Sequence, residues 1–429
     1  MYLKPAFFTP VTAFFLVALA QGAGYCADWP GWRGVGQAGT WQDVRLPEKL
    51  GPENVRKRWS VKIGGGYSGI AVKGKRVLTM DRPLKQETER VLCFDAESGK
   101  PLWKWEYKAA YGDLDYDNGP RATPTVTEDA VYTLGATGLI HCLALSDGRK
   151  LWSLDCEARL KAKRPIWGHA SSALVRGDLV YFHIGGRPDA TLIALDRKSG
   201  SLRWRALSDR PGYSTPLSVS MHGKPQLLAW TADNLASLSP ESGEVLYKTA
   251  FKTSNFDVAI ISPVPIGNSV FISGYWDGSA FFDIDKELRP KKTWTTKALN
   301  CLMATPLHHD GYLYALDKRN GLLCLSLKDG SVIWSDGHRM TTKERNPHAS
   351  MVWGAKEKGL SVILNARGDL ILARLSPKGY SERGRVHLID GRWIWSHPAF
   401  SDQDIFARSD KELLCVRVSE AAAKPGKSR

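Results

Sequence analysis

The stretch CLALSDGRKLW, residues 142–152, holds the architecture in miniature: a short apolar run, a turn closed by Gly148, and an indole at Trp152, four residues past the glycine. The same text returns as CFDAESGKPLW at 93–103, ALDRKSGSLRW at 194–204, SLSPESGEVLY at 237–247 and CLSLKDGSVIW at 324–334. The glycines of this cadence are Gly99, Gly148, Gly200, Gly243, Gly330 and Gly379, at intervals of 49, 52, 43, 87 and 49 residues. The gap of 87 holds a degenerate copy, SAFFDIDKELRPKKTW, which ends at Trp294. A mean period of about 47 residues exceeds that of leucine-rich and helical-hairpin repeats and lies near the length of a four-stranded propeller blade.

Outward from Gly148, one unit reads ATPTV (122–126), AVYTLGA (130–136), LIHCLAL (139–145) and LWSLD (151–155). These short runs, rich in β-branched and aromatic residues and parted by turn residues, predict an antiparallel meander. Gly at the hairpin supplies the positive φ that a Cβ opposes. The aromatic after it is expected to cover the seam between neighbouring blades, each ring burying roughly 150–250 Å². Trp103, Trp152, Trp204, Tyr247, Trp294 and Trp334 are therefore read as structural. Inner strands are expected to begin at Tyr67-Ser68, Thr123-Pro124, Ser171-Ser172, Thr215-Pro216, Ser262-Pro263, Thr305-Pro306, Ala349-Ser350 and His397-Pro398, which makes eight blades. The last unit has only three strands, and KRWSVKI (57–63) is an orphan strand ahead of the first. Pairing the two closes the ring and removes both free sheet edges. The expectation is one all-β, eight-bladed propeller over 57–419, preceded by a lead-in at 28–56 and followed by a disordered basic tail at 420–429.

Residues 1–27 read as a secretory signal peptide: one early charge at Lys4, the apolar stretch 11–20, and the small-residue site Ala18-Leu19-Ala20. The apolar run is short for a membrane span. The product is expected in the periplasm or cell envelope, as a monomer. The formal net charge of +15 falls to +14 once Lys4 is removed. Such a charge suits an anionic polymer or membrane surface, and export argues against nucleic acid. Of the seven cysteines, Cys93, Cys142, Cys324 and Cys415 recur at one position of the third strand, so they sit in separate blades as small hydrophobes. Cys156 and Cys301 lie outside that register, free or paired.

Function belongs where loops converge, on the face reached by the links that enter each inner strand and by those joining second and third strands. The long entering links are YGDLDYDNGPR (111–121), KRPIWGH (163–169), RPGYS (210–214), KALNC (297–301), NPH (346–348) and GRWIWSH (391–397). They nominate as binding-face residues Asp115, Asn118, Arg121, Trp167, His169 and Tyr213, then Asn300, His348, Trp393, Trp395 and His397, together with Tyr67 before the first blade. Asp113, Asp115 and Asp117 alternate like calcium ligands, but the glycine is one place late and the twelfth position is Pro124. Arg121 offers a planar fork for carboxylates, or for a neighbouring carbonyl. His169, His348 and His397 belong to the third, seventh and eighth blades, too far round the ring to share a metal, so no metal site is expected. His308 and His309 read as solvent-facing. Gly64-Gly65-Gly66 is followed by no helix, which leaves a flexible link rather than a phosphate cradle. Neither Cys-x-x-Cys-His nor Gly-x-Ser-x-Gly occurs, and no catalytic residue is assigned.

The Gly-then-Trp cadence, the Thr-Pro and Ser-Pro strand starts, GPRATPTVTEDAVYTLGATGLIHCL (119–143) and ATPLHHDGYLYALDKRNGLLCLSLKDGSVIW (304–334) resemble the pyrroloquinoline-quinone-like (PQQ-like) β-propeller repeat proteins of bacteria. DWPGWRG (28–34) looks like the opening of an exported branch. The resemblance implies one of two things. Quinoprotein dehydrogenases of this family hold PQQ with calcium in the channel, and the alcohol-oxidising ones cap it with adjacent cysteines, a pair this chain does not have. BamB-type scaffolds bind other proteins through their loops and carry no catalytic groups. The reading is a non-catalytic scaffold for envelope proteins that needs no cofactor. A PQQ-dependent alcohol or sugar dehydrogenase is the first alternative, and a module binding glycan or cell-wall polymer through Trp167, Trp393 and Trp395 is the second.

Overall fold

The repeated apolar runs form strands, and a computed structural model, which describes residues 28–112 and 114–420, arranges them as eight four-stranded antiparallel sheets. The expected signal peptide, Cys26, Asp113 and residues 421–429 of the tail lie outside the described residues. In the second blade the strands are Thr125–Val126, Ala130–Leu134, Leu139–Ala144 and Lys150–Asp155. The first is shorter than 122–126 because Pro124 has no N–H for a ladder. The ring closes as expected: Val55–Lys62 pairs antiparallel with Glu412–Val418, Trp59 lying opposite Cys415. Arg408, buried in the eighth blade, ties that closure to the first by donating to Gly64 O (2.9 Å), Thr79 Oγ1 (3.2 Å) and Met80 O.

The apolar core lies between blades rather than inside them, and the cadence explains how. Each seam indole lies on the turn glycine of the next blade: Trp59 on Gly99, Trp103 on Gly148, Trp152 on Gly200, Trp204 on Gly243 and Trp294 on Gly330. A Cβ added at any of these glycines would sit within 3.0 Å of ring carbon. The indole N–H then donates to the carbonyl three residues before the glycine, as in Trp103 Nε1 to Leu145 O (3.0 Å) and Trp294 Nε1 to Leu327 O (2.8 Å). Across its own sheet the indole mostly faces a small residue, Cys93 opposite Trp103, Cys142 opposite Trp152, Cys324 opposite Trp334 and Ala194 opposite Trp204, whereas Trp294 faces Phe281. That pairing is why cysteine recurs; all six described cysteines are buried, and Cys156 and Cys301 are free. The one tyrosine in the series, Tyr247, is followed in the next blade by Leu288 at φ 62, where the smaller ring leaves room for a side chain. Gly379 departs from the set: its added Cβ would meet nothing within 4 Å.

The lead-in is more than an approach to the ring. Trp29 pairs with Val72, Pro30 O accepts from Val126 N (2.8 Å), Trp32 Nε1 reaches Ser262 Oγ (3.0 Å), and Gln37 Nε2 reaches Pro216 O (3.1 Å). The segment then leaves past the seventh and eighth blades, Trp41 N donating to Trp353 O (2.7 Å) and Trp41 Nε1 to Asp402 O (2.8 Å). Residues 29–37 thus thread the channel and give it a floor. Two sequence expectations change here. His308 and His309 are half-buried rather than solvent-facing, with His309 edge-on to Trp353 at 5.8 Å. The run Gly64-Gly65-Gly66 is a packed contact rather than a flexible link, since Cβ atoms at Gly64 and Gly65 would strike Arg82 O and Asn118.

Candidate functional site

Closing one end of the channel leaves a cup open at the other, of about 710 Å³. Trp32 forms its base, the strand starts Thr215, Ser262 and His348 its lower wall, and every link entering a blade contributes to the rim. The inner strands are held to one another just below by hydroxyls: Thr123 N donates to Ser172 Oγ (2.9 Å) and Ser172 N to Thr215 Oγ1 (3.0 Å). This gives Ser172 and Thr215 a physical role at their strand starts, each accepting a blade-to-blade hydrogen bond.

Rings dominate the rim in two groups. Tyr67 stacks on Trp395 (5.7 Å, 27°), and Tyr116 meets Trp393 and Trp395 at 6.3 and 5.8 Å. Across the cup Trp167 contacts Tyr213 (5.4 Å) and Phe256 (6.2 Å), and Phe256 meets Trp276 at 6.0 Å. Asn346 joins the two sides, donating to Tyr116 Oη (3.2 Å) and accepting from Tyr275 Oη (3.3 Å). Phe256 is 56% exposed, Ile166 42%, Trp393 38% and Trp276 36%, a cluster of large apolar side chains left open on this face.

The polar groups divide into spent and unspent. The guanidinium of Arg121 takes up the carbonyls of Asp115 (2.9 Å), Tyr116 (2.7 Å) and Gly119, so it clamps its own loop and of its two expected roles fills the carbonyl one. Burial pushes the His348 imidazole down to about 4, so it is neutral near pH 7. Its Nε2 lies 3.4 Å from Ser350 Oγ and its buried Nδ1 has no partner. The Tyr67 hydroxyl is likewise buried without a partner, and burial raises its ionisation well above the usual tyrosine range.

Of the residues nominated from sequence, Tyr67, Asp115, Arg121, Trp167, Tyr213, His348, Trp393 and Trp395 line the cup. The other four do not. Asn118 packs against Gly65, and Asn300 accepts from Gly278 N (3.1 Å) and donates to Lys297 O (3.0 Å). His169 turns to Glu157 (3.2 Å), and His397 is buried between Trp29 and Trp32 beneath the base, its imidazole lowered to about 3 by burial. Among the described residues no three His, Cys, Asp or Glu side chains converge. Sequence reading passed over Trp32, Tyr116, Phe256, Tyr275, Trp276 and Arg345. Tyr275-Trp276 sits in a link between second and third strands, which opens on the same face, and aromatic residues in such a link are a readable signal.

A family model described as outer membrane protein assembly factor BamB matches residues 87–336. BamB of Yersinia pestis is 23% identical over 412 residues, which take in 87% of this chain and 89% of that protein. Quinohemoprotein alcohol dehydrogenase ADH-IIG of Pseudomonas putida is 33% identical over 126 residues, but this chain spans only 15% of its length. The crystal structure of BamB from Moraxella catarrhalis superposes with a TM-score of 0.60 at 15% identity, over 86% of this chain and 99% of that one.

Proposed function

This chain belongs to the family described as outer membrane protein assembly factor BamB, and from that premise we propose that it is an exported, non-catalytic propeller that scaffolds other proteins of the cell envelope through its loop face. The observation that carries the reading is the open cluster of Ile166, Phe256 and Trp276, with Trp393 exposed across the cup. Contiguous exposed apolar patches on soluble proteins mark places where a partner excludes water. Rigid aromatic side chains supply such contact area at small entropic cost, which is how interface anchors work. The near full-length match to BamB of Yersinia pestis, against a partial match to a dehydrogenase, supports the same side.

The test is site-specific photo-crosslinking in cells that export the protein. A photoreactive residue at Phe256 is expected to give a discrete adduct with an envelope protein, and one at Leu151, exposed on an outer strand, is expected to give none. Adducts from Leu151 alone would place the partner elsewhere and refute the loop-face assignment.

A further inference from the structure

The cup carries a chemistry that a protein anchor does not use. The seam indoles all donate to carbonyls, as Trp59 does to Ala96 O (2.9 Å) and Trp152 to Arg197 O (3.1 Å). Among the described residues the rim indoles of Trp167, Trp276, Trp393 and Trp395 have no hydrogen bond, although all four line the cup. The Tyr67 hydroxyl at the rim and His348 Nδ1 in the lower wall are buried and unpartnered, His348 being only 4% exposed. A buried polar atom without a partner is unfavourable by about 1–3 kcal/mol, and an apolar side chain entering the cup would seal that deficit in. A ligand hydroxyl removes it, because it both donates and accepts and so suits either imidazole tautomer.

Charge is divided across the mouth. On one lip Asp115 and Asp117 present carboxylates, Asp117 lying 3.8 Å from Arg82. On the other, Lys318 Nζ sits 4.0 Å over the Tyr275 ring and 5.3 Å over Trp276 and Arg345 lines the cup, while Arg392 lies 4.8 Å over Trp393 on the Tyr116 side. Among the described residues none of these three cations has a carboxylate partner. Flat rings flanked by unpaired cations on one side, and by carboxylates that accept hydroxyl protons on the other, suit a molecule with apolar ring faces, many hydroxyls and an acidic group. The chain's net charge of +15 draws such a molecule in. A cup of about 710 Å³ lies within the range of roughly 300–1,000 Å³ found for small-ligand sites.

We propose that the cup is a binding site for a short acidic oligosaccharide: sugar faces stack on Trp393 and Trp276, hydroxyls meet Tyr67, His348 and the Asp115–Asp117 lip, and the acidic group pairs with Arg345 and Lys318. The site shares Trp276 and Trp393 with the docking cluster above and differs from it in engaging the unpartnered polar atoms that docking leaves untouched. The acid is a carboxylate or a phosphate, both of which an Arg fork accepts.

The test is calorimetric and tryptophan-fluorescence titration of the purified full-length protein with a hexuronate tetramer, a phosphorylated hexose tetramer and the carboxyl-reduced neutral tetramer, alongside an apolar aromatic hexapeptide. One of the two acidic tetramers is expected to bind with a Kd below about 1 mM, to weaken as salt rises, and to quench fluorescence. W393A and W276A, both at exposed positions, are each expected to weaken it about tenfold with unchanged melting, and R345A with K318A to bring it down to the neutral tetramer's level. Which acid binds more tightly identifies the acidic group. Absence of binding by both acids, equal binding of the neutral tetramer, indifference to both indole substitutions, or binding of the hexapeptide alone would overturn the proposal; the last outcome would make the cup a peptide groove.

Discussion

Replacing Gly148 by alanine tests the seam that builds the ring. Gly148 has φ 74, and its added Cβ would run into the six-membered ring of Trp103. Two effects add: a left-handed backbone on an L-residue, about 1–2 kcal/mol, and overpacking of a fixed indole, about 1–3 kcal/mol. Gly311 separates them, having φ 79 but nothing within 4 Å of its added Cβ. G311A is therefore expected to destabilise by about 1–2 kcal/mol and G148A by about 2–5 kcal/mol. W103A alone loses a half-buried indole and its bond to Leu145 O, about 3 kcal/mol. In W103A the added methyl no longer meets a ring, so G148A should then cost only its backbone term, leaving a coupling of about 1–3 kcal/mol in the double-mutant cycle. Urea denaturation followed by far-UV circular dichroism measures all four. A G148A no costlier than G311A, or a cycle additive to within about 0.5 kcal/mol, would refute the latch.

Three further outcomes follow from buried groups. Glu89 is fully buried and accepts from Tyr107 Oη, Tyr111 Oη and Ala136 N, so E89A strands three donors and should destabilise by about 3–5 kcal/mol, with E89Q in between by thermal melting. His348 and His397 are held at about 4 and about 3 in the fold, below the unfolded value near 6.5, so the unfolded chain binds the extra protons. Stability should accordingly be level above about pH 6.5 and fall as pH drops toward 4, by on the order of 3 kcal/mol per imidazole; urea midpoints that do not move between pH 7.5 and 4.5 would contradict this, and H348Q should shallow the slope. Burial pushes the Cys301 thiol up to about 12, and all six described cysteines are buried, so a C26S variant should show no rapidly labelled thiol with a thiol-reactive dye until it unfolds.

The cadence made the ring legible because it records a contact made between neighbours again and again. Indole, glycine and carbonyl recur at a fixed spacing, so the pattern survives in one dimension, and the three-strand last unit and the orphan strand at 57–63 could be joined on the same logic. The channel floor was not legible. Trp32 meets Ser262 across 230 residues and Gln37 meets Pro216 across 179, in a segment with no period of its own. The cup was half legible. Long entering links pointed to Trp167, Trp393 and His348, whereas Tyr275 and Trp276 lie in a short hairpin between second and third strands, a link that opens on the same face but is too short to stand out by length. Polar type alone misplaced Asn118, Asn300 and His169: Asn118 packs against Gly65, Asn300 bonds local backbone, and His169 turns to the Glu157 carboxylate.

The central claim, a loop face that binds rather than oxidises, is tested most directly by adding pyrroloquinoline quinone and calcium to the purified protein and following quinone absorbance together with dye-linked oxidation of alcohols and sugars. The account predicts no stoichiometric quinone binding and no turnover above a protein-free control. Tight one-to-one binding with turnover would contradict it.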